Sequence, residues 1–190
     1  MIGYAFCGSF CTLEHSFQQL RKLVESGRDV CPIMSEAVYG TDTRFGTAEV
    51  WRRRVRELCG REIIHTITQA EPLGPKAPLD MLIISPCTGN TLAKMACGIT
   101  DSPVCMAAKA HLRTDRPLII APASNDALSA NLKNIGTLLI RKSVYFVPMI
   151  QDDPVGKPHS LVSDFDLLSD TVRAAEAGQQ LYPVFLTKTQ

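Results

Sequence analysis

The segment at residues 79–91 constrains the fold more than any other part of the chain. Residues 79–84 are a short apolar run, typical of a strand that is covered on both faces. In the polar turn that follows, Gly89 permits a positive φ or a close backbone approach, and Asn90 or Thr91 is expected to cap a helix. A strand end that leads into a capped helix presents free N–H groups and the helix dipole to an anion. An ordinary strand-to-helix turn has the same pattern, so both interpretations stay open.

Apolar runs alternate with segments of helical periodicity along the chain. Strands are predicted at 2–7, 29–34, 79–84, 117–121 and 144–147, with a short strand or strand-like link at 62–65. Helices are predicted at 12–26, 47–58, 92–97, 103–112, 127–139 and 165–177. This alternation predicts a three-layer α/β fold that is Rossmann-like (flavodoxin-like), with an open parallel sheet and helices on both faces. We expect residues 1–190 to form one domain.

Charge and composition argue against several classes of protein. The 20 basic and 19 acidic side chains nearly balance, so we expect neither a nucleic-acid partner nor a membrane surface. No apolar run is long enough to span a bilayer, and the N-terminus lacks the pattern of a signal peptide, so we expect a cytoplasmic protein. The seven cysteines include no CxxC pair, which predicts buried small side chains rather than disulfides or a metal site.

Polar turns follow several of the predicted strands. Gly8 and Ser9 come after the first strand, Ser35 comes after the second, and residues 122–126 come after 117–121. The first turn lacks the GxGxxG of dinucleotide-binding folds and the GxxxxGK[ST] of P-loops. Because open α/β sheets bind ligands at the carboxyl ends of their strands, the last turn and the one containing Gly89 are expected to converge on a single ligand site.

Two loops carry side chains that suit a charged ligand. Residues 39–46 place Arg44 between two glycines, so this loop either covers a ligand, with Arg44 binding a carboxylate or phosphate, or is a solvated connection. Residues 151–160 contain Lys157 and two adjacent aspartates. The aspartates are either a base or metal ligands or, as we favour, plain turn formers.

Three further features have both a functional and a structural interpretation. His65 is either an acid–base group or a partly buried histidine, and we favour the second. The alanine-rich helix at 103–112 permits close packing, and the apolar residues 181–185 are expected to dock on the body or on another subunit. Helix and tail together favour an oligomer.

Motifs distributed over nearly the whole chain carry a family resemblance. Residues 86–91 match P-x-[ST]-x-N-T, residues 93–101 match A-K-x-A-x-G-x-x-D, and residues 122–125 match a P-x-M-N turn in which Ser124 replaces methionine. With the Gly8-Ser9 turn, this combination resembles the homo-oligomeric flavin-containing Cys decarboxylase family. Its members include peptidyl-cysteine and phosphopantothenoylcysteine decarboxylases and the prenyl-flavin synthase.

The resemblance implies that FMN binds at the strand-end turns of a homo-oligomer. The first turns and Ser35 are expected to contact the phosphate side, and the later turns the ring and the substrate. The cofactor-binding residues so implied are Gly8, Ser9, Ser35, Pro86, Thr88, Gly89, Asn90, Thr91 and Ser124. No catalytic residue is assigned, and the candidates are Asn90, Asn125 and Arg44.

Five segments resemble one branch of this family, whose members act with a second subunit similar to NADP-binding dehydrogenases. They are residues 43–46, 70–75, 100–104, 124–128 and 151–154. The branch implies dehydrogenation of a cyclic lysine-pathway intermediate to an aromatic dicarboxylate during sporulation, with Arg44 or Lys157 holding a carboxylate. A non-catalytic subunit that stabilises the dehydrogenase and a stand-alone cysteine-type decarboxylase are the alternatives.

The chain also departs from the pattern of the family it resembles at three positions. The surroundings of His65 differ from those of the decarboxylase histidine, Ser124 replaces methionine, and Ala123 stands where the prenyl-flavin enzyme has arginine. Neither cysteine decarboxylation nor prenyl transfer is therefore expected to carry over.

Overall fold

The computed structural model describes residues 1–187 and contains one open sheet with helices on both faces. Its strands are β1 (Ile2–Phe6), β2 (Val30–Met34), β3 (Met81–Cys87), β4 (Leu118–Ser124), β5 (Val144–Phe146), β6 (Met149–Ile150), β7 (Leu161–Ser163) and β8 (Phe185–Leu186). Its helices are α1 (Leu13–Glu25), α2 (Glu36–Gly40), α3 (Ala48–Cys59), α4 (Ile67–Ala70), α5 (Gly89–Ala96), α6 (Pro103–Leu112), α7 (Leu132–Leu139) and α8 (Leu168–Glu176).

Five parallel strands form the centre of the sheet in the order β2-β1-β3-β4-β5. The chain leaves β1 for β2 on one side and later returns to β3 on the other side of β1. In open α/β sheets, the carboxyl ends of the strands at such a reversal of direction border the crevice in which ligands bind. The crevice here lies outside the ends of β1 and β3.

Alternate side chains of the strands enter two separate cores. On β1, Ala5 packs into the core beneath α5, α6 and α7, whereas Tyr4 and Phe6 pack into the core beneath α1, α3 and α8. On β3, Ile84 and Ile83 divide in the same way. This period of two, with both faces buried, explains why the strands appear in the sequence as continuous apolar runs.

Helix ends follow the capping rules that the sequence suggests. Ser102 accepts a hydrogen bond from the Cys105 N–H at 3.2 Å, and Pro103 occupies the first turn of α6. Thr47 caps α3 in the same manner, and Gly60 ends that helix at φ 61°. Local chemistry therefore sets the bounds of these helices.

The predicted fold class is confirmed, with one correction to the sheet. Beyond the central strands, β7 pairs antiparallel with the end of β4, β6 pairs antiparallel with β7, and β8 pairs with β6. The sheet is therefore mixed rather than parallel throughout. Strands of two or three residues are too short to show a period in the sequence.

Several predicted element bounds are wrong. The helix predicted at 127–139 begins only at Leu132, because residues 125–131 form turns, and β4 continues to Ser124 through residues assigned to a turn. The helix predicted at 92–97 begins at Gly89 and is capped by Thr88, not by Asn90 or Thr91. Two short helices, α2 and α4, form where no helix was predicted, and α2 ends within the predicted loop at 39–46.

The C-terminal tail docks on the body of the same chain through β8, which pairs with β6. This is one of the two arrangements expected from the sequence, the other being docking on another subunit. Val184 is buried and Phe185 is half exposed, while residues 188–190 lie outside the described part of the chain. Across residues 1–187, no helix combines the length and the apolar character needed to cross a membrane.

Candidate functional site

Three turns at the carboxyl edge of the sheet enclose a cleft of about 450 Å³. They follow β1, β3 and β4, as the sequence analysis expected of converging turns. The lining residues are Gly8, Ser9, Thr88, Gly89, Asn90, Ala123, Ser124, Asn125 and Asp126. The cleft thus occupies the crevice that the strand order defines.

A second cavity of about 230 Å³ continues this cleft towards the 151–160 loop. Ser9, Ala123, Ser124 and Asn125 line both cavities. The second cavity adds Cys11, Thr12, Asp152, Lys157, Ser160, Leu161 and Val162. Together the two form one elongated site, here called the sheet-edge cleft, with hydroxyls and amides along its floor and a lysine at one end.

The turn after β1 is held by backbone hydrogen bonds and leaves little room for a side chain. The Cys7 N–H donates to the Pro86 carbonyl at 3.1 Å, and the Ser9 N–H donates to the Cys7 carbonyl at 2.8 Å. A Cβ at position 8 would lie 3.3 Å from the Cβ of Ala37. Gly8 therefore lets the turn pass close to α2 while its own N–H stays without a partner in residues 1–187.

The start of α5 offers two further free donors. Thr88 accepts from the Thr91 N–H at 3.3 Å through its hydroxyl and from the Leu92 N–H at 3.0 Å through its carbonyl. Within the described chain, the N–H groups of Gly89 and Asn90 have no such acceptor. They remain available, together with the positive end of the helix dipole, for an acceptor bound in the cleft.

A pair of buried thiols lies beneath the cleft. Thr91 donates through its hydroxyl to the Cys7 sulfur at 3.3 Å. The hydrogen bond from Cys87 lowers the pKa of Cys7 against the opposing effect of burial, with further help from Thr91. Burial, reinforced by the neighbouring Cys7 sulfur, raises the pKa of Cys87 well above its ordinary value. Thr91 and the thiols thus tie the ends of β1 and β3 together rather than lining the cleft.

A polar network anchors the turn after β4. The hydroxyl of Ser124 and the amide of Asn131 both donate to the carboxylate of Asp126, the latter at 2.9 Å, and Asn134 donates to Asn131 at 2.8 Å. The hydrogen bond from Ser124 lowers the pKa of Asp126, and that from Asn131 adds to it. Because Ser124 uses its proton inside the protein, it presents an acceptor to the cleft.

The far end of the cleft carries a charged pair. Lys157 lies 3.1 Å from Asp152, and this hydrogen bond raises the pKa of Lys157. Burial opposes ionisation of Asp152, but hydrogen bonds from Lys157 and Ser160 leave its pKa below the usual range. Asp153 accepts from the Gly156 N–H at 2.8 Å, which is the turn-forming role expected of it. Residues 1–187 contain no cluster of His, Cys, Asp and Glu suited to a metal ion.

The structure brings together most of the residues singled out from the sequence. Those lining the sheet-edge cleft are Gly8, Ser9, Thr88, Gly89, Asn90, Ser124 and Asn125. Pro86 lies in the buried end of β3, where its carbonyl holds the turn after β1. Ser35 caps α2, accepting from the Val38 N–H at 3.4 Å, and is not among the lining residues.

Two other candidates lie apart from the cleft. Arg44 is exposed on the turn between Thr43 and Gly46, with its guanidinium 4.8 Å from the centre of the Phe45 ring, and it lines neither cavity. His65 stacks on Tyr39 at 3.8 Å between ring centres. That partly buried stacking agrees with the structural interpretation of His65 favoured from the sequence.

Sequence reasoning missed Asn131 as part of the site, and it gave no individual role to Asp126 in the turn at 122–126 or to Ser160 in the loop at 151–160. Asn131 falls in a segment predicted to be helical. The run of Asn, Asp and Ser at 124–131 was the one available signal, because such residues favour turns over helix interiors.

Comparison with known proteins decides the family. A family model described as Flavoprotein matches residues 2–172, which include every turn of the sheet-edge cleft. The chain belongs to the Flavoprotein family. This membership confirms the resemblance stated from the sequence and agrees with the flavin cofactor that it implied.

Relatives of known name and structure support the same assignment for this Flavoprotein member. The chain is 44% identical over 189 residues to the B subunit of dipicolinate synthase from Bacillus subtilis strain 168, covering 100% of this chain and 94% of that relative. A crystal structure of the corresponding B subunit from Bacillus halodurans C superposes with a TM-score of 0.90 at 41% identity, covering 99% of this chain and 96% of the other.

More distant solved structures share the fold. The FMN-dependent cysteine decarboxylase SpaF superposes with a TM-score of 0.68 at 20% identity, covering 93% of this chain and 95% of the other. At that identity the likeness establishes the Flavoprotein fold alone.

Proposed function

We propose that this chain is the FMN-binding B subunit of a dipicolinate synthase. In this proposal it acts in the cytoplasm of sporulating cells, as a homo-oligomer, with an NADP-binding A subunit. Together they oxidise a cyclic lysine-pathway intermediate to dipicolinate. One observation carries the proposal: the 44% identity to the B subunit of a dipicolinate synthase runs along the whole chain, including all three turns of the sheet-edge cleft.

The cleft has the chemistry that a flavin mononucleotide needs. Free N–H groups of Gly8, Gly89 and Asn90 suit phosphate and carbonyl oxygens, since backbone donors at a helix start bind anions. The acceptor oxygen of Ser124 suits a ring N–H. The two cavities of the sheet-edge cleft have volumes of about 450 Å³ and about 230 Å³. This size is within the usual range for ligand sites. We assign the phosphate of FMN to the turn after β1. Ser35 does not line the cleft, so its part is indirect: it caps the helix α2, which packs against that turn.

When bound, FMN would supply a two-electron acceptor for the dehydrogenation. The protein's part is to bind and orient a dicarboxylate next to that acceptor. Among the described residues, Lys157 is the lysine or arginine that lines the cleft, and it pairs with Asp152 on the 151–160 loop at 3.1 Å. The side chains of Asn90 and Asn125 are exposed in the cleft and offer amide donors. We therefore assign a substrate carboxylate to Lys157 in preference to Arg44.

The first test is an absorbance spectrum of the purified chain before and after incubation with FMN and desalting. We expect a retained oxidised-flavin spectrum, and weaker retention of riboflavin, which lacks the phosphate. A Gly8→Val variant should lose retention, because a Cβ alone would lie 3.3 Å from the Cβ of Ala37 and the γ carbons of valine would crowd the turn further. Absence of FMN retention by the wild-type chain, even with the A subunit present, would refute the flavin proposal.

The second test asks whether the flavin takes part in the reaction. With the A subunit and substrate under anaerobic conditions, we expect the flavin absorbance to bleach as dipicolinate appears. Dipicolinate formation with an unchanged flavin spectrum would instead favour the alternative of a non-catalytic partner subunit.

The third test concerns Lys157. A Lys157→Ala variant should raise the KM for the dicarboxylate by about ten- to a hundredfold, the worth of a hydrogen bond to a charged group. Lys142→Ala is the matched control, because Lys142 forms an exposed ion pair with Asp115 at 2.8 Å outside the cleft. Equal KM values for the two variants would remove Lys157 from the site.

A further inference from the structure

A separate cavity lies among α5, α6 and the end of α7, on the face of the sheet that carries these helices. Its volume is about 220 Å³. The floor is apolar, with Met95, Ile99 and Leu112 among its residues, and the rim carries Lys109, Arg113 and Arg141. We call this site the basic cleft. None of its lining residues belongs to the sheet-edge cleft.

The three rim cations have no partner of their own. Across residues 1–187, the side chains of Lys109, Arg113 and Arg141 form no hydrogen bond or ion pair, and all three are exposed. Their neighbours differ: Lys94 pairs with Asp101 at 2.9 Å, and Lys142 pairs with Asp115. The rim therefore carries charge that an anionic partner could neutralise.

The surrounding segment has a surplus of positive charge that the whole chain lacks. Residues 94–142 contain seven lysines and arginines but three aspartates, a net charge of +4, whereas the chain as a whole carries +1. All three aspartates already have partners within the protein, namely Lys94, Lys142 and Ser124. Two copies of this face would repel one another, so its charge favours a different, acidic chain.

Exposed apolar side chains extend the basic cleft beyond its cavity. Ile99 lines the cavity yet is 46% exposed, and Ile140, next to Arg141, is 87% exposed. A small anion enclosed in the cavity would leave Ile140 uncovered. An apolar surface that continues outside a cavity and is rimmed by charge is typical of a protein-binding surface.

We propose that the basic cleft docks an acidic segment of the partner subunit. An apolar side chain of that segment fills the cavity against Ile99 and Leu112, and flanking carboxylates pair with Lys109, Arg113 and Arg141. This inference rests on the proposed function for the existence of the A subunit. It goes further by naming the surface and the chemistry of the contact.

The test compares the affinity of purified A subunit for three forms of the full chain by calorimetric titration. An Arg113→Glu/Arg141→Glu double variant should bind at least tenfold more weakly than wild type, and rising ionic strength should weaken wild-type binding. Arg53→Glu is the matched control and should bind as wild type does, because Arg53 is equally exposed on α3, on the opposite face of the sheet. FMN retention, measured for each variant, verifies the fold.

The outcomes separate this inference from the proposed function. If wild type binds the A subunit and the double variant binds equally well, the docking surface is wrong and the proposed function stands. If the double variant instead changes the mass of the homo-oligomer in sedimentation while its affinity for the A subunit is retained, the face joins copies of this chain and the inference is also wrong. If wild type does not bind the A subunit at all, both proposals fail together.

Discussion

Gly89 shows how closely one residue of the sheet-edge cleft is packed. A Cβ built at this position would lie 2.5 Å from the Ser124 hydroxyl and 2.6 Å from both Asp126 and Asn131. These atoms belong to the network that anchors the turn after β4. The missing side chain therefore lets α5 start directly against that turn, which is a steric rather than a conformational requirement for glycine.

We predict that Gly89→Ala destabilises the protein by about 1–3 kcal/mol, the usual cost of overpacking, and weakens FMN retention. The measurement is urea unfolding together with the desalting assay. Gly136→Ala is the control: position 136 lies within α7 with open space around it, so alanine should add up to about 1 kcal/mol of stability. A Gly89→Ala protein as stable as wild type would contradict the packing argument.

His111 is a buried residue whose titration should affect stability. Its Nε2 donates to the Pro117 carbonyl at 2.8 Å, and its buried Nδ1 finds no partner within residues 1–187. Burial lowers the pKa of His111, against the opposing hydrogen bond to Pro117. The folded protein thus keeps this ring neutral at pH values at which the unfolded chain, with an ordinary pKa of about 6.5, takes up a proton.

We predict that the free energy of unfolding falls as the pH drops below about 6.5, because the unfolded state then binds more protons. Between pH 7.5 and 5.5, His111 should account for up to about 1.4 kcal/mol of that loss. Urea unfolding at both pH values measures it. His111→Gln should show a smaller loss than wild type between the two pH values. An identical loss in His111→Gln would refute the assignment.

At the residue scale, the sequence predicts which residues reach the cleft when they directly follow a strand. It does not predict hydrogen-bond partners that come from other segments. Gly8, Gly89 and Asn125 are predictable because a strand end precedes each of their turns. The hydrogen bond of Asn131 to Asp126 depends on a turn that interrupts a helical pattern. The sequence signals that interruption only through the Asn, Asp and Ser residues at 124–131.

At the scale of elements, β5 shows how the sheet ends. The backbone N–H of Phe146 donates to the side-chain oxygen of Gln180 at 2.8 Å, and the Gln180 amide donates to the Phe146 carbonyl at 2.7 Å. One side-chain amide thereby takes the place of a neighbouring strand. The Gln180 amide thus provides hydrogen-bond partners for the backbone N–H and carbonyl of Phe146, which is fully buried. These groups lie at the β5 edge of the sheet, where a strand of another chain could otherwise pair.

We predict that Gln180→Ala destabilises the protein by about 1–3 kcal/mol, because the alanine leaves the Phe146 N–H and carbonyl without partners. Gln179→Ala should be nearly neutral, since Gln179 is exposed and its side chain forms no hydrogen bond within residues 1–187. Thermal unfolding of the two variants measures the difference. Equal midpoints would mean that water replaces the Gln180 amide without cost.

Elements of ten or more residues are predictable from this sequence and very short ones are not. The helices α1 and α3 are evident because their apolar faces recur over three turns or more. The helix α6 is evident because Ser102 and Pro103 mark its start. The strands β6, β7 and β8 have two or three residues each. Tertiary pairing, not a local pattern, defines such strands.

At the scale of the whole molecule, the sheet-edge cleft lies at the ends of strands that belong to both hydrophobic cores. The strands β1, β3 and β4, which end at the cleft, each contribute side chains to both hydrophobic cores. Their order in the sheet, and so the position of the crevice, could not be read from the sequence, which indicates only that strands and helices alternate. The order follows from how the crossovers pack.

A ligand that binds only where β1, β3 and β4 meet should stabilise the whole fold. We predict that the midpoint of thermal unfolding rises with FMN concentration, with a gain of about 2.7 kcal/mol at a hundred times the dissociation constant. Scanning calorimetry of the chain with and without FMN measures it, and Gly8→Val is the control, since this variant should unfold at a midpoint independent of FMN. If the wild-type midpoint also stays constant while FMN is retained after desalting, FMN must bind the unfolded chain as tightly as the folded one. That result would mean that the three turns of the folded chain do not form the cofactor site.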